Sequence, residues 1–176
     1  AGLPAVDGQT LARTSGQAAE QNHRAVRLQG RWIPERTVFL DNRQLKGRPG
    51  FFVVTPLLLP EGGDAVLVQR GWAPRDMSDR TRLPEVPTAA GIVEVFGVIA
   101  PPPARLYEFA AQSHGPIRQN LDLAEFSKET ALSLRPLSVQ QSESLATTQD
   151  GLLREWARPA VDVYKNYGYA FQWFAL

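Results

Sequence analysis

The stretch Ala65-Val66-Leu67-Val68-Gln69-Arg70-Gly71-Trp72-Ala73-Pro74 constrains the fold of this chain more than any other. Four apolar residues, two of them β-branched, follow the turn signal Glu61-Gly62-Gly63-Asp64 and read as a buried strand. Strand alternation places Val66, Val68, Arg70 and Trp72 on one face. An arginine thus follows two apolar residues onto a face that should be buried, where an unpaired charge costs about 3–5 kcal/mol. The acid in the most comparable setting is Asp41, which ends the apolar run Phe39-Leu40 and precedes Asn42-Arg43. The two segments are therefore expected to be neighbours, joined by an Asp41–Arg70 ion pair.

The rest of the chain repeats this grammar of short extended runs stopped by turn residues. Val26, Leu28 and Trp32 alternate with Arg27, Gln29 and Arg31, a half-buried strand. Pro34-Glu35-Arg36 turns the chain into a second strand, Thr37 to Asp41. Lys46-Gly47-Arg48-Pro49-Gly50 reads as a hairpin loop before a third strand, Phe51 to Leu59, whose Pro56 marks an edge. The 65–72 strand is the fourth. A charged loop carries Pro84 and Pro87 to a fifth strand, Gly91 to Ile99, stopped by Pro101-Pro102-Pro103. Residues 104–119 read as irregular. Asp122 with Glu125 fits a capping box for a short helix over 123–131. Leu134 to Gln140 is a sixth strand, 141–151 a polar loop, and a last extended segment falls within 153–164. Strands do not alternate with long helices, so a doubly wound fold is disfavoured. The expected fold is mainly β, an antiparallel barrel or sandwich with one or two short helices.

Composition narrows function by exclusion. The 14 glycines and 14 prolines in 176 residues suit a turn-rich β domain. A net charge of +1 gives no electrostatic case for nucleic acid. With no cysteine there are no disulfides, zinc-thiolate sites or iron–sulfur clusters. No apolar run approaches the ~18 residues a membrane helix needs. The chain opens at Ala1 without Met and stops within Phe174-Ala175-Leu176, which reads as a soluble domain taken from a longer protein. The alternative is a complete protein with a processed start. Residues 1–22 read as a tail or loose helix following an absent membrane anchor, 23–166 as the β-barrel domain, and 167–176 as the cut entry to a second membrane helix.

Leu40-Asp41-Asn42-Arg43, Val54-Thr55-Pro56-Leu57 and Leu67-Val68-Gln69-Arg70-Gly71-Trp72-Ala73-Pro74 resemble, in order, signatures of the Surfeit locus protein 1 family. Val26-Arg27-Leu28-Gln29-Gly30-Arg31-Trp32 resembles its first strand, and Tyr169-Ala170-Phe171-Gln172-Trp173-Phe174 its entry into a second membrane helix. The resemblance implies an assembly factor for haem-copper cytochrome c oxidase, on the extracytoplasmic face of the inner membrane. That is the bacterial periplasm or the mitochondrial intermembrane space. It implies two membrane helices outside this chain, hence both chain ends on one side of the domain. The implied partner is the oxidase catalytic subunit. Some bacterial members bind haem a, so haem a is the implied cofactor. The family's haem a histidine lies three residues before the tyrosine of the membrane-entry stretch. Counting back from Tyr169, that place holds Asn166, with Tyr164 and Tyr167 beside it.

Each candidate site residue has two readings. Arg70 either clamps an anionic group such as a haem propionate or pairs structurally with Asp41. Trp32 and Trp72 either fill the core or stack on a macrocycle at a barrel mouth. The aromatic run from Tyr164 to Phe174 is either a membrane-interface belt or an edge strand. Arg70, Trp72, Tyr169 and Trp173 make up the candidate cofactor contacts. His23 and His114 are the histidines, each in a segment that reads as a solvated loop. No Gly-x-Ser-x-Gly, His-Glu-x-x-His or phosphate-binding glycine loop occurs. The expectation is a non-enzymatic assembly factor that assists haem a delivery or holds the nascent catalytic subunit. Two rivals are a β-barrel module binding a small anionic or lipidic ligand with Arg70 at its mouth, and a hydrolase built on His114.

Overall fold

Alternation sets the first strand as the sequence indicates. In β1 (Ala25–Trp32) every second residue is buried, so Val26, Leu28, Gly30 and Trp32 face inward and Arg27, Gln29 and Arg31 face water. The computed structural model describes residues 4–41, 43–60, 62–79, 81–102, 115–143, 150–154 and 156. The strands after β1 are β2 (Val38–Leu40), β3 (Gly50–Leu58), β4 (Ala65–Pro74), β5 (Ile92–Ala100), β6 (Ile117–Arg118) and β7 (Leu134–Gln141). Two short α-helices, α1 (Ser15–Gln21) and α2 (Leu123–Thr130), and a 3-10 turn at Pro34–Arg36 complete the described elements. Asp122 caps α2 by accepting from the Glu125 N–H at 3.1 Å, the capping contact read from the sequence.

The strands form one sheet in the order β1-β5-β7-β4-β3-β2-β6, and an added β1–β3 pairing closes β1, β5, β7, β4 and β3 into a ring. Closure depends on one edge of β3 serving two partners. Its Phe52–Val54 pair with β2 and its Leu57 and Leu58 pair with β1. Pro56 falls at the handover, where its carbonyl accepts from the Ile33 N–H at 3.0 Å. The missing proline N–H points to the same edge, so no ladder bond is lost there. At the β1–β3 crossing a side chain on Gly30 would put its Cβ 2.5 Å from the Leu58 carbonyl oxygen, so only glycine lets the strands approach.

Two of the pairings, β4–β7 and β2–β6, are parallel. Local alternation carries no information about them. β7 arrives beside β4 only after the excursion through β5 and α2, and such a crossover reverses direction twice.

The ring interior holds Leu28, Leu57, Val66, Val68, Val95, Ile99, Leu137 and Val139, closed at one end by Val6, Leu11 and Ala12 from the segment before β1. Burying a leucine of this kind stabilises by about 2 kcal/mol. That segment is tied down at several points. Val6 bonds backbone to backbone with Ala25 and Arg27. The buried Arg135 of β7 donates to the Leu11 carbonyl at 2.9 Å and to Asp64 at 2.9 Å. Phe39, Phe51, Val53 and Ala73 continue the interior toward the other end of the strands, joined by Leu152. On the outer face of β2, β3 and β4, Leu40, Val54 and Leu67 pack against Phe126 of α2 and Leu121. No helix among the described residues is long and apolar enough to cross a membrane. Ala1 and Leu176, whose placement on one side was expected, lie outside the described residues.

Candidate functional site

Arg70, the polar residue singled out first in the sequence, sits at a bulge in β4. Val54 pairs with Gln69 and Val53 with Gly71, so Arg70 is the extra residue of a β-bulge. One inserted residue reverses the alternation beyond it. Val66 lies across from Leu57 and Trp72 across from Phe52, and these two β3 residues point to opposite faces. Arg70 stays on the interior face with Val66 and Val68, its guanidinium over the Trp32 ring at 4.6 Å from the centroid. Trp72 is turned to the other face. The expected single face carrying Val66, Val68, Arg70 and Trp72 is therefore broken by the bulge after Arg70.

Arg70 is 4% exposed and its terminal nitrogens are engaged. Nη1 donates to Thr88 Oγ1 at 2.8 Å and more weakly to Thr55 Oγ1 at 3.4 Å, and Nη2 donates to the Pro87 carbonyl at 3.0 Å. Nε alone has no partner. Burial pushes the guanidinium pKa down to about 10; the field of Asp150 opposes that shift and the field of Arg154 adds to it. The structural effect is to pin residues 86–88 onto the ring, where Val86 joins Phe39 and Phe51.

Asp41 does not pair with Arg70. The strand β3 lies between β2 and β4, so the expected adjacency does not exist. Asp41 instead forms a salt bridge with Arg75, just past the end of β4, with both side chains largely buried. Arg75 also lies over the Phe51 ring at 4.9 Å. Its position after Pro74 read as loop, yet the β3–β4 pairing carries it back to the mouth of the 41–50 turn, where its N–H donates to the Pro49 carbonyl at 3.1 Å. Arg43 donates to the Asp41 carbonyl at 2.6 Å; burial lowers its pKa, and Asp41 opposes that shift.

A seam along the far edge of β4 falls partly in the 141–151 stretch that reads as a polar loop and partly at Leu153, inside the range expected to hold a last extended segment. Past the point where β7 leaves β4, Trp72 and Leu153 exchange two backbone hydrogen bonds, at 2.8 and 2.9 Å. Gly71 has φ +151°, and a Cβ there would lie 2.8 Å from Leu152 Cβ and 3.0 Å from the Leu153 oxygen. Residues 150–154 thus form a strap on β4 that only a glycine admits. The strap carries its own buried ion pair, Arg154 with Asp150, and Arg154 reaches Glu143 at 3.5 Å. The Asp150/Arg154 spacing of four was the signal available for this pair. Trp72 is fixed from both sides, its backbone by the strap and its indole N–H by the Arg43 carbonyl at 2.7 Å.

This arrangement bears directly on the haem reading. Arg70 has both terminal nitrogens bound within the protein and Trp72 faces away from it, so these two residues do not share a surface for a porphyrin. Tyr169, Trp173, Asn166, Tyr164, Tyr167 and His114 lie outside the described residues, as does Asn42. His23 is exposed in the turn before β1, with φ +72°. Among the described residues no group of three or more His, Asp or Glu side chains is placed to hold a metal ion.

Comparison with known proteins gives two findings. The SURF1 family model matches residues 3–176, nearly the whole chain. Over 59 residues the chain is 30% identical to the cytochrome oxidase assembly protein SHY1 of Saccharomyces cerevisiae. That alignment covers 34% of this chain and 15% of the yeast protein.

Proposed function

Since this chain belongs to the SURF1 family, whose members are non-enzymatic assembly factors, we propose that it serves the assembly of haem-copper cytochrome c oxidase by holding the nascent catalytic subunit. The work would be done at the extracytoplasmic face of the inner membrane, with the domain tethered by helices outside this chain. The observation that carries the reading is the extent of the family match, which takes in the ring, the bulge and the strap together. The name of the yeast relative supports it. So does the chemistry of the interior. Arg70, Arg75, Arg135 and Arg154 are spent on the chain's own carbonyls, hydroxyls and carboxylates. An interior arranged this way fixes loops on a rigid ring, and the surface is left to meet a partner. Haem a, in this reading, is held jointly with the oxidase subunit or the membrane helices.

The test is affinity capture of the full-length protein from cells that make the oxidase, with haem a synthesis intact or blocked. Co-purification of the catalytic subunit in both conditions is expected. Capture only when haem a is made would favour delivery of the cofactor, and absence of the subunit in both would overturn the reading.

A further inference from the structure

The β1–β5 pair presents one outer face to solvent, and its composition is unusual for a surface. Cross-strand neighbours on it are Ala25 with Val98, Arg27 with Phe96, Gln29 with Glu94 and Arg31 with Ile92. Ile92 is 60% exposed, Val98 37% and Phe96 36%, three of the five large apolar side chains exposed among the described residues. Both strands alternate, but β5 puts mostly apolar residues on the outward side where β1 puts Arg27, Gln29 and Arg31. Val95 and Ile99 face the interior, so the exposed set repeats at every second residue and lies in one line. Three of the four side chains in that line, Ile92, Phe96 and Val98, are apolar, and such a grouping in water is relieved when another surface covers it.

The charges decide what kind of surface that is. Arg27 is matched within the face: it bonds Glu94 at 2.5 Å and lies 5.8 Å from the centroid of the Phe96 ring. Arg31, beside Ile92, the most exposed apolar residue of this face, has no acidic partner among the described residues. The face therefore carries one uncompensated guanidinium at its Ile92 end and a satisfied ion pair at its centre. A lipid surface fits poorly, because the central Arg27–Glu94 pair and Gln29 would be pressed into the apolar layer along with Phe96. A protein fits, since protein interfaces favour aromatic residues and arginine and accommodate polar groups that are already hydrogen-bonded, as Arg27 and Glu94 are here. Beside the strip an open depression lined by Asp7, Gln9, Arg27 and Glu94 supplies relief for a side chain of the partner.

We propose that the outer face of β1 and β5 is the docking surface for the assembly partner, an apolar protein segment bearing an acidic residue opposite Arg31. The inference rests on the assembly reading above and names the surface it uses.

The experiment compares full-length wild type with the double variant Ile92→Ser/Phe96→Ser and, separately, Arg31→Glu. These side chains are exposed, and native thermal melting of each variant checks the fold. Capture of the oxidase catalytic subunit is read by immunoblot in each. Loss of about tenfold or more in both variants, with melting unchanged, is the expected result. Full capture by both variants would overturn the docking face and leave the assembly reading standing. No capture by wild type would overturn the assembly reading itself and the docking face with it. Sedimentation of wild type with phosphatidylglycerol vesicles, abolished in the variants while capture persists, would show that the face meets lipid and overturn the protein partner. A wild-type dimer by light scattering that becomes monomeric in Ile92→Ser/Phe96→Ser with capture retained would assign the face to a second copy and overturn it likewise.

Discussion

The Arg70 guanidinium lies over the Trp32 ring, 4.6 Å from its centroid, inside the barrel and without a carboxylate in contact. This is a cation kept in the interior by an aromatic face, two hydroxyls and a carbonyl. Its burial opposes its charge and its hydrogen bonds offset part of that cost. Arg70→Met should therefore destabilise only modestly, by about 1 kcal/mol, because the lost hydrogen bonds are balanced against relief of desolvation. A double-mutant cycle of Arg70→Met with Trp32→Leu, which removes the aromatic face, should give a coupling of about 1 kcal/mol in urea unfolding, the stacking contribution. A coupling of zero would mean the ring and the guanidinium are neighbours without attraction.

The contrast is with Asp41 and Arg75. Here a carboxylate and a guanidinium meet directly in a largely buried setting. Arg75→Met removes the cation from a buried acid and should cost about 3 kcal/mol, well above the Arg70→Met effect. Asp41→Asn with Arg75→Met should recover much of that loss. The same cycle between Asp41 and Arg70 should couple by under about 0.5 kcal/mol, since β3 separates their strands. Equal coupling in both cycles would contradict the pairing.

These two pairs show where sequence reading succeeds and where it stops. β1, β5 and α2 were legible because their signal is local: Val26, Leu28 and Trp32 alternate, and Asp122 sits three residues before Glu125. The bulge was not, because alternation has no term for an inserted residue. Its mark is Gly71, which the sequence shows beside Arg70 but cannot distinguish from a strand end. Once the bulge is missed, Trp72 is assigned to the wrong face. The partner of Asp41 was missed for a related reason. Arg70 and Arg75 are both near the end of one strand, and only the pairing register says which of them returns to the 41–50 turn. The two-residue β6 was unreadable, because Ile117 and Arg118 are held by their pairing with β2 and by no pattern of their own. The strap at 150–154 is a long-range contact: residues 150–151 read as polar loop and 153–154 fall in the range expected to be extended, but no local pattern names β4 as the partner.

Gly71 offers the cleanest test of that strap. An alanine there meets Leu152 and the Leu153 oxygen and sits at φ +151°, a conformation L-residues rarely adopt. Gly71→Ala should lower stability by about 2–3 kcal/mol and should speed amide exchange at Leu153, whose N–H bonds the Trp72 carbonyl. Gly16 in α1 is the control: nothing lies within 4 Å of a Cβ there. Gly16→Ala should be neutral or stabilise by up to about 1 kcal/mol. If both substitutions behave alike, the close approach of strap and bulge is not what Gly71 serves.

The last prediction concerns haem and this 176-residue chain by itself. A porphyrin held by a protein of this kind needs an axial ligand, propionate partners and an apolar enclosure. The resemblance sets Asn166 at the family's histidine position, and an amide is a poor ligand for iron. The arginine named for a propionate has its terminal nitrogens bound to Thr88, Thr55 and Pro87, so it could turn to a ligand only by releasing the 86–88 segment. Trp72 lies on the other side of the sheet from it and gives its N–H to Arg43. Haem titration of the chain should therefore show weak association with no saturation in the micromolar range. Its Soret band should be unchanged by Arg70→Ala, His23→Ala or His114→Ala. Weak, unspecific association would also fail to separate haem from metal-free porphyrin, because burial without ligation does not sense the iron. A tight, saturable, low-spin complex would overturn this. Its loss in His114→Ala would locate the ligand in the 104–119 segment, and its loss in Arg70→Ala would show that the 86–88 segment opens to admit a propionate.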